Sequence, residues 1–190
     1  MGYVHDRELS ARLHQIGERV GVAWIFSACG TCEFCSRGLE NLCADFKATG
    51  RDLPGGYAEY MLVNENFAYR IPSAFSDVEA APLLCAGAIG YRSLKLANLQ
   101  PGGVLALTGF GASGHLVLKT ARYLYPDTKI IVFARSIEEQ EFAKTLGAVW
   151  AGAVTDTPPS KADAIIDTTP VWNTVVESNR RLRYTHLHMQ

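Results

Sequence analysis

The chain predicts an α/β fold in which the first half of a doubly wound parallel sheet follows a separate cysteine-bearing lobe. Three observations carry that expectation. Apolar runs at Val104–Thr108, Lys129–Phe133 and Ala164–Asp167 alternate with helical stretches. A glycine-rich turn joins the first run to its helix. Ahead of both, Cys29, Cys32, Cys35 and Cys43 stand in Cys-x2-Cys-x2-Cys-x7-Cys spacing. With 190 residues and 48% hydrophobic content, the chain is long enough to bury a core.

The cysteine run lies nearest the N-terminus. Four thiolates within fifteen residues suffice to close a tetrahedron around one structural Zn²⁺. Ser27, Gly30, Thr31, Ser36, Gly38 and Asn41 break any regular period, so the spacing predicts a loop clamped by metal over 27–47. Two other readings stand beside zinc. Paired disulfides would need an oxidising compartment, and nothing upstream reads as a secretory signal. An iron–sulfur cluster shares the opening Cys-x2-Cys-x2-Cys, but its pattern continues with three residues and Cys-Pro, whereas here seven residues lead to Cys43-Ala44. A redox or cluster-binding module therefore remains as a separate functional class. Free thiolates fit a reducing cytoplasm.

Further along, Ser76 and Glu79 have the spacing of a capping box that starts a short helix, and Pro82 interrupts the turn after it. Cys85 then falls near a second helix start, where the dipole favours a thiolate. Taken alone, a cysteine among Leu and Ala is a small buried hydrophobe. A boundary is expected near 95–103, where Gln100-Pro-Gly-Gly103 precedes the first parallel strand. This gives segments 1–98 and 99–179, and then an atypical tail over 180–190.

Gly109, Gly111 and Gly114 form Gly-x-Gly-x-x-Gly between a strand and a helix, with Val117, Ala121 and Leu124 on one helix face. In that context the first glycine makes a tight turn, the second admits a pyrophosphate, and the third lets helix pack on strand. Phosphates would sit at the helix N-terminus. The second strand ends in Ala134, Arg135 and Ser136, without the acidic residue that accepts from a ribose 2′-OH. Arg135 is suited instead to the 2′-phosphate of NADP. Ser136 and Glu139 cap the next helix, with Phe142, Ala143 and Leu146 expected to face the sheet.

A net charge of −1 gives no electrostatic reason to expect nucleic acid or membrane partners, and no apolar run has transmembrane length. His186 and His188 in the tail form a loose metal pair at most. His5 reads as part of a solvated terminus and His14 as a surface residue beside Arg12 and Gln15.

The cysteine lobe, the preceding Gly17-Glu-Arg-Val-Gly-Val22, the following Gly55-Gly-Tyr-Ala-Glu-Tyr60, Leu84-Cys-Ala-Gly87 and the glycine fingerprint occur in one order. That order resembles the zinc-type alcohol dehydrogenases of the medium-chain dehydrogenase/reductase superfamily. The resemblance covers roughly residues 15 to 178. It implies a partial GroES-like β-rich catalytic domain with a zinc lobe, joined to the first half of a Rossmann sheet. By position, Cys29, Cys32, Cys35 and Cys43 match the structural zinc ligands, and Cys85 matches a cysteine of the catalytic zinc site. Gly109, Gly111 and Gly114 match the pyrophosphate turn. Ile89 stands where many relatives carry a threonine near the nicotinamide.

The implied activity is hydride transfer between NADP(H) and a small alcohol or aldehyde, and the resemblance allows a homo-oligomer. The family's other catalytic ligands, a Cys and the His of Gly-His-Glu, come from a segment ahead of the lobe that has no counterpart here. After Gly152 the glycines of the family's next turn are also missing. The alternative expectation is therefore a catalytically silent, truncated zinc- and nucleotide-binding fragment.

Overall fold

A computed structural model describes residues 2–3 and 14–183; His5, His186 and His188 lie outside the described residues. The chain divides into two compact units, Met1–Cys85 and Ala86–Gln190.

In the first unit, β1 (Gly2–Tyr3), β2 (Arg19–Val22) and a later strand form a three-stranded antiparallel sheet. β3 (Ile25–Ser27) leads into the cysteine lobe. The lobe is not the plain loop expected from its composition. α1 (Glu33–Ser36) forms one helical turn there because the carbonyl of Cys32 accepts the Ser36 N–H at 3.0 Å. A 3-10 turn comes next at Glu40–Leu42. β4 (Lys47–Ala48) returns to pair with β3, and β5 (Ala68–Arg70) pairs with β2. α2 (Asp77–Ala80) starts with the expected capping box. The Ser76 hydroxyl accepts the Glu79 N–H, and the Glu79 carboxylate accepts the Ser76 N–H at 2.9 Å. The Ser76 hydroxyl also donates to the Glu79 carboxylate at 2.7 Å, and this bond first, then the one from the Ser76 N–H, holds the Glu79 carboxyl below its ordinary range.

His14 is not the surface residue its neighbours suggested. It is 8% exposed, and its Nε2–H donates to the Ala68 carbonyl at 2.9 Å while Nδ1 lies 3.3 Å from Glu18 Oε2. The strand pairing Val22↔Ala68 brings that carbonyl to it from the far end of the unit. Glu18 also accepts the Gln15 N–H at 3.0 Å and pairs with Arg70 at 2.6 Å. The Gln15 N–H is the largest influence holding its carboxyl below the usual range, with Arg70 and His14 adding to it.

The second unit begins with α3 (Ala86–Ala97), then β6 (Val104–Thr108), α4 (Ala112–Leu124), β7 (Lys129–Phe133), α5 (Ile137–Thr145), β8 (Trp150–Gly152), β9 (Ala164–Asp167) and α6 (Trp172–Asn179). The sheet is parallel throughout, in the order β8-β7-β6-β9. β6 is buried along its whole length because both sheet faces are covered, which is why it reads as an uninterrupted apolar run. Leu105 and Leu107 join Leu94, Leu118, Ile130 and Val132 on one face. Val104 and Ala106 join Ile131, Phe133, Ile165 and Leu182 on the other.

The units divide at 85/86, ahead of the boundary expected at 98/99, because α3 packs tightly on α4. A Cβ at Gly90 would lie 2.7 Å from a Val117 methyl. Two helix faces differ from the sequence expectation. Leu124 is 40% and Phe142 47% exposed, and Phe142 sits edge-on to Phe110 rather than in the sheet core. The first residues of the 180–190 segment also belong to this unit. Leu182 is 5% exposed, and Ala162 exchanges backbone bonds with Arg181 and Arg183 at 3.0 and 2.7 Å.

Leu118 is fully buried between helix and sheet. Leu118→Ala is expected to cost about 2–5 kcal/mol by lost burial plus the cavity left behind. Chemical denaturation monitored by far-ultraviolet circular dichroism measures it.

Candidate metal lobe and nucleotide turn

The metal lobe is assembled by local geometry. All four cysteines are free thiols, and their Sγ atoms lie within 4.8 Å of one another, with Cys29 and Cys35 3.9 Å apart. A zinc tetrahedron with ~2.3 Å Zn–S bonds has edges of ~3.8 Å, so a small contraction would close it. Backbone N–H groups already point at the sulfurs. Cys32 N–H donates to Cys29 Sγ at 3.3 Å and Cys29 N–H to Cys43 Sγ at 3.4 Å. The N–H groups of Thr31 and Cys32 lead in holding the Cys29 thiol down at about 6, whereas burial leads in pushing Cys35 up to about 12. An all-sulfur set, part thiolate and sheltered (Cys43 is buried), suits a closed structural zinc site and offers no open position for substrate.

Below the lobe, the Arg51 guanidinium lies 5.5 Å from the ring centroids of both Trp24 and Phe46. Asp52 holds it with a 2.7 Å bond and also accepts the Ala48 N–H at 2.7 Å. The Arg51 bond first, then the Ala48 N–H, keep the Asp52 carboxyl below its ordinary range. This anchors β4 at the exit of the lobe.

Cys85 stands just ahead of α3, as expected, and its side chain is exposed. Among the described residues, no group of three His, Cys, Asp or Glu donors gathers around it. His14 is withheld by its bonds to Ala68 and Glu18.

The nucleotide turn lies at the carboxyl end of β6. Gly109 takes a φ of +85°, a conformation that L side chains rarely adopt, and its N–H donates to the Phe133 carbonyl at 2.8 Å. A Cβ at Gly114 would lie 2.5 Å from the Gly109 carbonyl oxygen, so helix and strand approach as closely as they do because that atom is missing. Gly111 differs from both. A Cβ there meets nothing within 4 Å, and as the residue capping α4 it supplies no side-chain bond to the first-turn N–H groups. Backbone donors facing open space at a helix N-terminus fit an anion such as a pyrophosphate.

β6 and β7 end in register, Thr108 opposite Phe133, so Arg135 and Ser136 leave the sheet at the same edge as the glycine turn. Arg135 is exposed, and Ser136 caps α5, its hydroxyl accepting the Glu139 N–H at 3.1 Å. The structure adds Thr168 and Thr169, which sequence reasoning missed. They come directly after β9 and press on Gly109, where a Cβ would lie 2.8 Å from Thr168 Oγ1. The threonine pair at the end of an apolar strand was the available signal.

Residues 1–73 match the model of the alcohol dehydrogenase GroES-like domain. The chain is 47% identical over 160 residues to a probable alcohol dehydrogenase, AdhA, from Mycobacterium tuberculosis, a match covering 84% of this chain and 46% of that protein. Among solved structures, CAD from Helicobacter pylori complexed with NADP(H) is 26% identical with a TM-score of 0.80, covering 93% of this chain and 53% of that one. A short chain alcohol dehydrogenase from E. coli complexed with NADH is also 26% identical, with a TM-score of 0.81, covering 92% of this chain and 54% of that one. The chain thus spans about half the length of the relatives it matches. Near one-in-two identity to an alcohol dehydrogenase, carried on the same succession of elements, places the chain among the zinc-type alcohol dehydrogenases of the medium-chain dehydrogenase/reductase superfamily.

Proposed function

We propose that this chain contributes the structural zinc lobe and the dinucleotide-binding turn of an oxidoreductase that interconverts small alcohols and aldehydes. The observation that carries the reading is the contrast within one turn. Gly114 is closed against Gly109 at 2.5 Å, while Gly111 opens on free space at the start of α4. When bound, a nicotinamide dinucleotide supplies or accepts the hydride.

This chain's own residues do the holding. The first-turn N–H groups of α4 would bind the pyrophosphate, and Gly109 and Gly114 keep those groups in place. Cys29, Cys32, Cys35 and Cys43 would hold the structural zinc, which fixes the lobe and takes no part in the chemistry. Cys85 has no companion donors among the described residues. The same fact favours a second reading, in which the chain binds zinc and nucleotide without turnover.

Arg135 and Ser136 favour NADP(H) over NAD(H). The two solved relatives carry one cofactor of each kind, so the preference rests on these residues. A guanidinium on a phosphate is worth about 1.5–3 kcal/mol as a charge-assisted bond. Arg135→Ala is therefore expected to weaken NADPH binding roughly tenfold or more while leaving NADH nearly unchanged. Fluorescence titration of both nucleotides tests it, and equal losses for the two would sink the preference. Zinc-dependent turnover of NADPH with an aldehyde panel separates the enzyme reading from the silent one.

A further inference from the structure

The segment after β9 is built with more bonds than a link to α6 requires. Asp167, the last residue of β9, is 9% exposed, and its Oδ1 accepts both the N–H and the hydroxyl of Thr169 at 2.7 Å. The Thr169 hydroxyl also meets that of Thr174 in α6. Thr168 donates its N–H to the Thr108 carbonyl at 2.9 Å and its hydroxyl to the same oxygen at 3.2 Å. The wall so fixed stands against Gly109, where a Cβ would lie 2.8 Å from Thr168 Oγ1 and 3.0 Å from a Thr169 methyl.

We propose that Asp167 is a positioning residue for the dinucleotide turn. By clasping Thr169 it holds the Thr168–Thr169 wall that keeps Gly109 in its left-handed conformation. Gly109 in turn seats Gly114 and aims the first N–H groups of α4 at one point. The proposal rests on the reading that this turn binds a dinucleotide.

Two features separate a clasp from packing. First, β9 is already held to β6 by its own ladder from Ala164 to Asp167, so Thr169 is not needed to place the strand. Second, Asp167 Oδ2 is buried without a hydrogen-bond partner. An unsatisfied carboxylate oxygen destabilises the fold, so an acid at this position is explained by what Oδ1 holds.

The test compares Asp167→Ala and Asp167→Asn with the unaltered chain, by NADPH titration and by amide hydrogen exchange of the nucleotide-free protein. In Asp167→Ala, exchange at Gly109, Thr168 and Thr169 is expected to accelerate while β7 amides keep their protection. NADPH affinity should fall roughly tenfold or more, the scale of losing a charge-assisted bond. Asp167→Asn keeps a carbonyl acceptor and should restore affinity to within about threefold. The proposal is overturned by unchanged exchange in the alanine variant, by loosening without loss of affinity, or by an asparagine variant as impaired as alanine. If the unaltered chain itself fails to bind NADPH, the dinucleotide reading falls and takes the proposal with it. If the unaltered chain binds and the variants do not differ, the proposal alone falls.

Discussion

Chelation of zinc from the cysteine lobe is expected to release about one metal per chain and to abolish protection of the backbone over residues 29–46. The parallel sheet of the second unit should keep its own. The lobe's regular structure is one turn of α1 and one 3-10 turn, elements far too short to persist alone. Structural zinc in small peptides contributes about 10–16 kcal/mol, as much as the whole stability of an ordinary domain. Burial pushes the Cys35 thiol up to about 12, so metal binding at neutral pH must displace its proton. Acid returns protons to the sulfurs, so zinc retention falls as pH falls, and proton release accompanies loading. Metal analysis by mass spectrometry, with amide exchange before and after chelation, measures both arms. Cys43→Ser should drop the stoichiometry well below one zinc per chain. Unchanged protection in the metal-free chain would refute the account.

The second large effect is at the glycine turn, where two substitutions of the same kind should part company. Gly114→Ala drives a Cβ to 2.5 Å from a backbone oxygen, where no flexible side chain is available to yield. Overpacking of this sort costs about 1–3 kcal/mol when side chains can move, and the upper end or beyond is expected here. NADPH binding should fall with stability. Gly111→Ala meets nothing within 4 Å, so its stability should stay within about 1 kcal/mol of the unaltered chain. Binding should nevertheless be lost, because the methyl group occupies the space a pyrophosphate would enter. Thermal denaturation read beside NADPH titration separates the two. Equal affinity in Gly111→Ala and the unaltered chain would remove the phosphate from this turn.

Features encoded over a few residues were legible in the sequence. The capping boxes at Ser76 and Ser136, the cysteine spacing and the glycine turn each depend on neighbours three to eight positions away, and each forms as written. Features that depend on chain closure were hidden. His14 looked like a surface residue because the carbonyl that engages it lies at Ala68, across a strand pairing no local pattern announces. Thr168 and Thr169 gained meaning only when β9 came to lie beside β6 and set them against Gly109. Leu182 likewise looked like part of a tail, and it packs with Val104 and Ile165 because the parallel pairing at Ala162 draws it in. Phe142 was misplaced for the opposite reason. Its spacing matched a core face, but Phe110 offered it an aromatic edge at the surface.

The pairing of β2 with β5 joins Val22 to Ala68 across a stretch of chain that contains the whole cysteine lobe. Bridging Cys29 to Cys43 shortens that excursion from roughly 45 residues to roughly 31, which by the logarithmic law changes the closure entropy by only ~0.3 kcal/mol. The metal therefore does little to help the two strands find each other. A nascent chain in zinc-poor surroundings would close this sheet at nearly the same speed as one with zinc in excess. Metallation can therefore follow closure of the sheet as readily as precede it, acting on an excursion already tethered at both ends.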